Sequence, residues 1–377
     1  MRVLLVADAV GGVFTHAIEL ARALIASRVR VVLATEGAEL SADRRRAVAS
    51  LRGVEHEGRP YRLEWMPDPW DDVAAAGRWL LALEERVRPD VVHTCELAHG
   101  ALPFRAPKLV AAHSCVTSWF EAVRGAPAPA EWERYRAVVR AGLRGAGAVV
   151  TPTAWMARAL VRHHAPIPAP TVVPNGRDAG RFWPGPKEEL VLAAGRVWDE
   201  AKNVAALARV APRLPWPVFV AGDATAPGGD PTAIAAPASA TSPRAATFLG
   251  RLPEEELARW LSRAAIFAHP ARYEPFGLTV LEAALSGCAL VLGDLESLRE
   301  TWDGAALFVS PWNDDALVDA VSALVRDEGG RRALADAARQ RGLALTPRRM
   351  AAGYRAIYAA LARGRPPSTS AGAGGAS

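Results

Sequence analysis

Short apolar runs alternate with segments of helical periodicity along most of the chain. The first run, Val3–Ala7, is followed by a turn and then by Phe14–Ser27, where apolar residues recur every three to four positions. A second apolar run, Val29–Ala34, comes next. A strand, a helix and a strand in this order predict parallel strands joined by a right-handed crossover.

The same pattern continues and predicts strands in two series. The first series has three more strands, at Val91–His93, Lys108–His113 and Ala148–Thr151. The second series has five, at Leu190–Ala194, Val218–Ala221, Ala246–Leu249, Ile266–His269 and Ala289–Leu292. The predicted fold class is therefore α/β, with two Rossmann-like, doubly wound parallel-sheet domains facing a cleft.

Proline and glycine set the predicted boundaries. We expect an N-terminal domain over 1–170, a Pro/Gly-rich linker over 171–186 and a C-terminal domain over 187–347. An amphipathic helix within 348–364 is expected to return to the N-terminal domain, and 365–377 to form a disordered tail. A further stretch rich in small residues, 224–245, is expected to be a surface excursion.

Composition narrows the class of protein. A chain of 377 residues, 50% apolar and 23% charged, suits two globular domains, and no run approaches the roughly 18 apolar residues of a membrane span. Three cysteines without paired spacing fit a reducing cytoplasm, and no secretory signal is expected. The net charge of +5 is spread along the chain, so no nucleic-acid partner is expected.

One basic segment raises the question of membrane contact. Arg44–Arg46 and Arg52, with Val48 and Leu51, could form a basic face for weak peripheral binding at the inner membrane surface. A solvated run of charges is the alternative.

Two candidate ligand-binding loops each follow the first predicted strand of a domain. Gly11 and Gly12 allow close approach of the backbone to a ligand, although the spacing is not GxGxxG and disfavours a dinucleotide. Gly195 and Arg196, with Lys202 six positions further on, could bring two cations to one diphosphate.

A third candidate is the segment from Glu274 to Glu282. Gly277, Leu278 and Thr279 would supply the first amides of a helix, which is a favourable anion site. Glu282 is flanked by apolar residues, so we expect it to be buried and to need a partner.

Histidines provide two further candidates. His113 ends a predicted strand and would lie at the edge where ligands bind. The segment His93–His99 contains metal-ligand residue types, but its spacing fits no familiar zinc pattern, and no metal cofactor is expected.

Taken in order, these segments resemble the GT-B retaining glycosyltransferases of the GT4 group (glycosyl transferases group 1). The resemblance rests on GGVFTHAIELA near the start, AAHS at 111–114, VPNGRD at 173–178, AAGRVWDEAKN at 193–203, FLGRLPEEEL at 248–257 and ARYEPFGLTVLEAALSGCALV at 271–291. The chain departs from the pattern at Ser114, where many relatives have Asp, and at Ala289, where Pro is frequent.

The resemblance implies a role for each matching position. Arg196 and Lys202 would hold the donor diphosphate, Glu274 and His113 would contact the sugar, and Glu282 would bind the ribose. The remaining residues expected at the nucleotide sugar are Gly11, Gly12, Gly195, Gly250, Arg251, Leu252, Phe276, Gly277, Leu278 and Thr279.

The predicted function is metal-independent transfer of a sugar from a nucleoside-diphosphate sugar, with retention, to a saccharide, lipid-linked or small-molecule acceptor. Two alternatives remain open. A sugar-nucleotide 2-epimerase of the same architecture would need no acceptor, and a non-catalytic protein would bind the nucleotide sugar without turnover.

Overall fold

A computed structural model describes residues 1–226 and 244–364. Within these ranges the chain divides into two compact units, one made of 1–176 with the segment from Pro347 onward, and the other of 177–346. Each unit is built around one parallel sheet with helices on its faces, as the alternation of strands and helices predicts.

The first unit contains a seven-stranded sheet in the order β3-β2-β1-β4-β5-β6-β7. Its strands are β1 (Arg2–Asp8), β2 (Arg30–Glu36), β3 (Glu55–Gly58), β4 (Val91–Thr94), β5 (Lys108–Ala111), β6 (Ala148–Thr151) and β7 (Thr171–Val172). Its helices are α1 (Gly12–Ala26), α2 (Ala42–Ala49), α3 (Trp70–Val87), α4 (Val116–Arg124), α5 (Glu133–Gly145), α6 (Ala154–His164) and the C-terminal α13 (Pro347–Ala362).

The second unit contains a six-stranded sheet in the order β10-β9-β8-β11-β12-β13. Its strands are β8 (Glu188–Ala194), β9 (Val218–Ala221), β10 (Thr247–Gly250), β11 (Ala264–His269), β12 (Ala289–Gly293) and β13 (Leu307–Val309). Its helices are α7 (Val204–Val210), α8 (Glu254–Arg263), α9 (Leu278–Leu285), α10 (Glu296–Trp302), α11 (Asp314–Arg326) and α12 (Glu328–Leu343).

Strand order reverses beside β8, which pairs with β9 on one side and β11 on the other. In open α/β sheets a ligand crevice opens at such a point, outside the carboxyl ends of the strands. The loops that follow β8 and β11 carry Arg196, Lys202 and Glu274, so the topology brings together segments that are distant in the sequence.

The C-terminal helix α13 belongs to the first unit. Its apolar face, with Met350, Tyr354, Ile357, Tyr358 and Leu361, is buried in the same core as residues of α1, β1 and β2. The last described helix therefore belongs to the same unit as the N-terminal residues.

Several expected features differ in the structure. Residues 171–186 divide between the units instead of forming one linker, because Thr171–Val172 pairs with β6 and Phe182 is buried in the second core. A two-residue strand beside prolines has no periodicity that the sequence could reveal. Residues 227–243 of the expected excursion, and the tail 365–377, lie outside the described residues.

The basic segment at α2 also differs from the expectation. Val48 is half-buried against the first core and Leu51 is buried within it, so most of the apolar part of the expected lipid-facing surface is covered by protein. Arg44 donates to the carbonyl of Ala9 and lies over the ring of Phe14. Within the described ranges, no helix has the length and apolar character needed to span a bilayer.

Candidate functional site

The loop after β8 presents a guanidinium. Arg196 donates to the Oδ2 atom of Asp199 at 2.6 Å, and its side chain is 37% exposed whereas that of Asp199 is 5% exposed. Asp199 also accepts from the backbone amide of Ala201 at 3.0 Å and so caps a 3₁₀ turn over Glu200–Lys202. The buried aspartate therefore fixes the loop and orients a guanidinium that still reaches solvent.

The ammonium of Lys202 lies at the other end of this turn. Its Nζ atom donates to Oε2 of Glu274 at 2.7 Å, and Nε2 of His269, at the end of β11, lies 3.1 Å from the same oxygen. Burial raises the pKa of the Glu274 carboxyl, but Lys202 and His269 outweigh burial and hold that pKa well below its usual range. Glu274 is thus a buried carboxylate that stays ionised.

Asp199 links the two cations. Burial raises the pKa of its carboxyl, yet the charges of Arg196 and Lys202 together lower it below its usual value. Both cations therefore act on one carboxylate, and Lys202 also reaches Glu274. The structure brings together the two cations and the first glutamate that the sequence singled out.

Helix α9 begins at Leu278, three residues beyond Pro275 and shortly after Glu274. Gly277 has φ of 86°, and a Cβ atom there would lie 3.0 Å from Cγ2 of Val280, so glycine is required for the chain to enter the helix. Phe276 is buried in the second core, while Leu278 and Thr279 form the first turn and are partly exposed. The first amides of α9 are orphan donors of a helix N-terminus.

Glu282, on the next turn of α9, is buried as expected and has a charged partner. Nε of Arg177 lies 2.8 Å from its Oε1 atom, and Arg177 is itself buried. The same guanidinium donates to Glu254 at 2.6 Å and lies over the ring of Phe182. The carboxylate that the sequence left without a partner is therefore held by a buried ion pair.

Glycines line the edge formed by β8, β9 and β10. The amide of Gly222 donates to the carbonyl of Gly250 at 2.8 Å, and a Cβ atom at Gly222 would lie 1.7 Å from the carbonyl oxygen of Gly195. Arg251 lies 3.8 Å from Asp223, and Leu252 packs at the margin of the second core. Backbone atoms therefore approach one another closely where Gly195 and Gly250 are expected to contact the nucleotide sugar.

The expected residues of the first unit lie at its carboxyl edge. Gly11 is the N-cap of α1, Gly12 is the first residue of that helix, and His113 follows β5. Burial lowers the pKa of His113 to about 4, so its imidazole is neutral at pH 7. Its Nε2 atom is buried and has no hydrogen-bond partner among residues 1–226 and 244–364.

The same edge holds a group of buried acids that the sequence did not reveal. Asp8, Glu36, Glu64 and Glu96 are each at most 6% exposed, and His99 lies 2.9 Å from Glu36. Glu64 accepts from two backbone amides at 3.3 and 2.7 Å, yet burial raises its pKa to about 7. The strands that precede or contain Asp8, Glu36 and Glu96 were predicted, but nothing local indicated that these carboxyls would lie together or that Glu64 would join them.

The segment His93–His99 has other partners than a metal. Nδ1 of His93 lies 2.6 Å from the hydroxyl of Tyr358, and His99 pairs with Glu36. Considering only the described ranges, no group of three or more His, Cys, Asp or Glu side chains is arranged to hold a metal ion.

Three residues of the site were missed in the sequence. Arg177 is part of the motif VPNGRD, but no function was predicted for it. His269 is the last residue of a predicted strand, and Asp199 lies between Arg196 and Lys202 in the sequence. A buried run ending in histidine, and an aspartate just before a turn, were the available signals.

Two doubly wound parallel sheets, the second with a cationic edge at its switch point, define the GT-B class of fold. The chain belongs to the glycosyltransferases of group 1 and family 4. Residues 10–181 match the family model "Glycosyltransferase Family 4", and 188–327 match "Glycosyl transferases group 1".

Curated relatives support this membership. Glycogen synthase from Mycobacterium tuberculosis is 31% identical over 284 residues, which cover 69% of this chain and 66% of that protein. The chain thus spans just under two thirds of that relative. O-antigen chain mannosyltransferase B from Escherichia coli is 37% identical over 97 residues, covering 26% of this chain and 24% of that one.

Solved structures share the fold along nearly the whole chain. Sucrose-phosphate synthase from Thermosynechococcus elongatus superposes with a TM-score of 0.76 at 20% identity, covering 96% of this chain and 100% of the other. HepE from Anabaena, in complex with UDP-glucose, gives a TM-score of 0.75 at 14% identity, with coverage of 96% and 100%.

Proposed function

We propose that the protein transfers a sugar from a nucleoside-diphosphate sugar to an acceptor, with retention at the anomeric carbon and without a metal ion. The observation that carries this proposal is the convergence of Arg196 and Lys202 on Asp199 and Glu274 at the switch point of the second sheet. Cations at this edge suit a diphosphate, and a carboxylate beside them suits the hydroxyls of a sugar.

The cations would act on the leaving group. Departure of the nucleoside diphosphate builds negative charge on its distal phosphate, and preorganised cations stabilise such charge more than they stabilise the bound donor. An ammonium has three donors, so Lys202 can hold Glu274 with one and present others to a phosphate oxygen. Arg196 would offer its partly exposed guanidinium, and the first amides of α9 would bind the same phosphate.

The carboxylates would orient the donor. Glu274 is held ionised by Lys202 and His269, which makes it an acceptor of hydrogen bonds from sugar hydroxyls. Glu282 would accept from the ribose while Arg177 balances its charge. His113 would line the sugar as a neutral imidazole, and the strand ends at Gly195, Gly250, Arg251 and Leu252 would border the nucleotide.

Metal independence follows from the same reasoning. In the proposed reaction, two side-chain cations and a helix N-terminus supply the charge that a divalent ion would otherwise supply. We expect the transfer rate to be unchanged when EDTA is added to protein purified without divalent ions. A loss of activity restored by Mg²⁺ or Mn²⁺ would contradict this part of the proposal.

The donor is tested by thermal unfolding with UDP, GDP and ADP, since a ligand that binds the folded state raises the apparent stability. HepE was solved with UDP-glucose, so UDP-glucose is the first complete donor to test. Transfer requires UDP release that depends on an added acceptor, and retention requires the donor's anomeric configuration in the product. An epimer formed from donor alone would favour the 2-epimerase, and binding without turnover would favour a non-catalytic protein.

A further inference from the structure

Three histidines from separate elements lie together in the first unit, His16 and His93 buried and His113 half-buried. His16 is on α1, His93 is in β4 and His113 follows β5. The ring centroids of His16 and His113 are 4.3 Å apart, with their planes inclined at 59°. His93 stacks on Tyr354 with a centroid distance of 4.9 Å. The histidine with a proposed contact to the sugar therefore rests on a second histidine.

His16 is held by ring packing rather than by hydrogen bonds. Its side chain is 1% exposed, and neither ring nitrogen has a hydrogen-bond partner in the part of the chain that the structure describes. Tyr354 of α13 meets the ring edge-on at 5.7 Å. Buried polar atoms without partners are rare in folded proteins and frequently have a functional reason.

Protonation does not set the orientation of this ring. Burial, followed by the neighbouring His113 and His93, lowers the pKa of His16 well below its usual value and outweighs the side chain of Asn175, which raises it. Both ring nitrogens of His16 and the Oδ1 atom of Asn175 lack hydrogen-bond partners among the described residues. The two side chains are therefore close but not hydrogen-bonded. The imidazole is therefore neutral at pH 7.

The neighbours of His16 come from the two segments at which the chain passes between the units. Asn175 directly precedes Gly176, the last residue of the first unit before the chain leaves it. Tyr354 lies on α13, which begins where the chain re-enters this unit at Pro347. His16 is thus packed between both crossing segments and His113.

We propose that His16 is a positioning residue that holds the imidazole of His113 in one orientation and affects sugar transfer only through His113. The inference rests on the proposed role of His113 at the donor sugar. Packing fixes a ring that has no hydrogen bond to fix it, and a misplacement of about 1 Å at a reacting centre can lower a rate by roughly 10²-fold. The contact that matters is between rings, so an aromatic residue at 16 should replace the histidine.

The test is a double-mutant cycle read by UDP release from UDP-glucose in the presence of an acceptor. We expect His16→Gln, which removes the ring, to lower kcat about tenfold with little change in the donor KM, and His16→Phe to restore most of it. In a His113→Ala background, His16→Gln should have no further effect. His164, buried and hydrogen-bonded to Thr117, supplies the matched control, because the effect of His164→Gln should be the same in either background.

A second measurement does not depend on activity. In protein labelled with ¹³C-histidine, the ring resonance of His113 should shift and broaden in His16→Gln but not in His16→Phe or His164→Gln. An unchanged His113 resonance in His16→Gln overturns the inference, whether or not the protein transfers sugar. An effect of His16→Gln on kcat that persists fully in the His113→Ala background overturns it too, since that marks a general structural role. Altered resonances in a protein that turns over no nucleotide sugar would leave the positioning intact and refute the proposed function.

Discussion

Protonation states are set in opposite ways at the cationic edge of the second unit and in the histidine group of the first unit, which consists of His16, His93 and His113. In the second unit, the buried carboxyls of Glu274 and Asp199 remain ionised because each has a cation within hydrogen-bond distance, Lys202 at 2.7 Å and Arg196 at 2.6 Å. In the first unit, the rings of His16, His93 and His113 remain neutral because burial lowers the pKa of each imidazole, to about 4 for His113. Pairing outweighs desolvation in one region, and desolvation prevails in the other.

The difference suits the chemistry proposed for each region. A diphosphate that leaves with its negative charge needs groups whose positive charge is already in place. The sugar itself is uncharged, so the neutral imidazole of His113 can contact it as well as the carboxylate proposed for Glu274. The comparison can be tested by removing single members of each region and following stability, rate or pH dependence.

The largest effect is expected when one partner of the buried ion pair is lost. Arg177→Met leaves Glu282 buried without its countercharge, and such a loss costs about 3–5 kcal/mol of unfolding free energy. Adding Glu282→Gln should recover part of this, because the remaining group is no longer ionised. Urea unfolding measures both variants. Arg209→Met, which breaks a solvent-exposed pair with Asp314, should cost less than about 1 kcal/mol. If Arg177→Met is destabilised as much with Glu282→Gln as without it, the interpretation of Arg177 and Glu282 as a charge pair is wrong.

Removing the ammonium of Lys202 from the cationic edge should lower the rate of sugar transfer. Lys202→Ala takes away a cation proposed to stabilise the leaving diphosphate, and we expect kcat to fall by about 10²-fold or more. The measurement is acceptor-dependent UDP release. Arg263→Ala, which removes an exposed cation paired with Glu188 at the opposite end of β8, should leave the rate unchanged. Turnover of Lys202→Ala at the wild-type rate would refute the role of this residue.

The histidine group should make the protein less stable in acid. Burial lowers the pKa of His93 to about 3, below its usual value of 6.5, so the unfolded chain binds more protons between these values. The stabilisation is full above about pH 6.5 and is lost as pH falls towards 3. Between pH 7 and 5, His93→Phe should lose about 2 kcal/mol less unfolding free energy than the wild type. Parallel pH profiles for the two proteins would show that His93 is not the group that titrates.

A smaller effect of opposite sign is expected from the acids of the first unit. Burial raises the pKa of Glu64 from 4.5 to about 7, so its contribution to stability is full below about pH 4.5 and is lost as pH rises to 7. Glu64→Gln should remove this pH-dependent loss of unfolding free energy. We expect a difference of roughly 1 kcal/mol between pH 5 and 7, because the proton release is shared among neighbouring carboxyls. Urea midpoints at pH 5 and 7 test it, and a steeper loss with rising pH in Glu64→Gln would reverse the assignment.

Most of the architecture could be predicted from local patterns. The apolar run at Val218–Ala221 was predicted at the bounds that the structure gives, and the helical period at Phe14–Ser27 matches α1 to within two residues at each end. Buried strands and amphipathic helices have patterns that a short window contains. Strand β3 was missed because it has no apolar residue, and β7 and β13 were missed because two or three residues are too few to show a pattern. Loop chemistry allowed Arg196, Lys202 and Glu274 to be named.

What the sequence determined by itself was the class of fold and the residue types at the strand ends, since both depend on neighbours along the chain. Only the tertiary structure decided which polar groups meet. His93 and Tyr358 are separated by 265 positions, and Arg177 meets Glu282 across the second unit only after strands and helices have packed. The pKa of a buried group depends on the partners that folding supplies, so the charged state of Glu274 and the neutral state of His113 follow from packing and not from residue type.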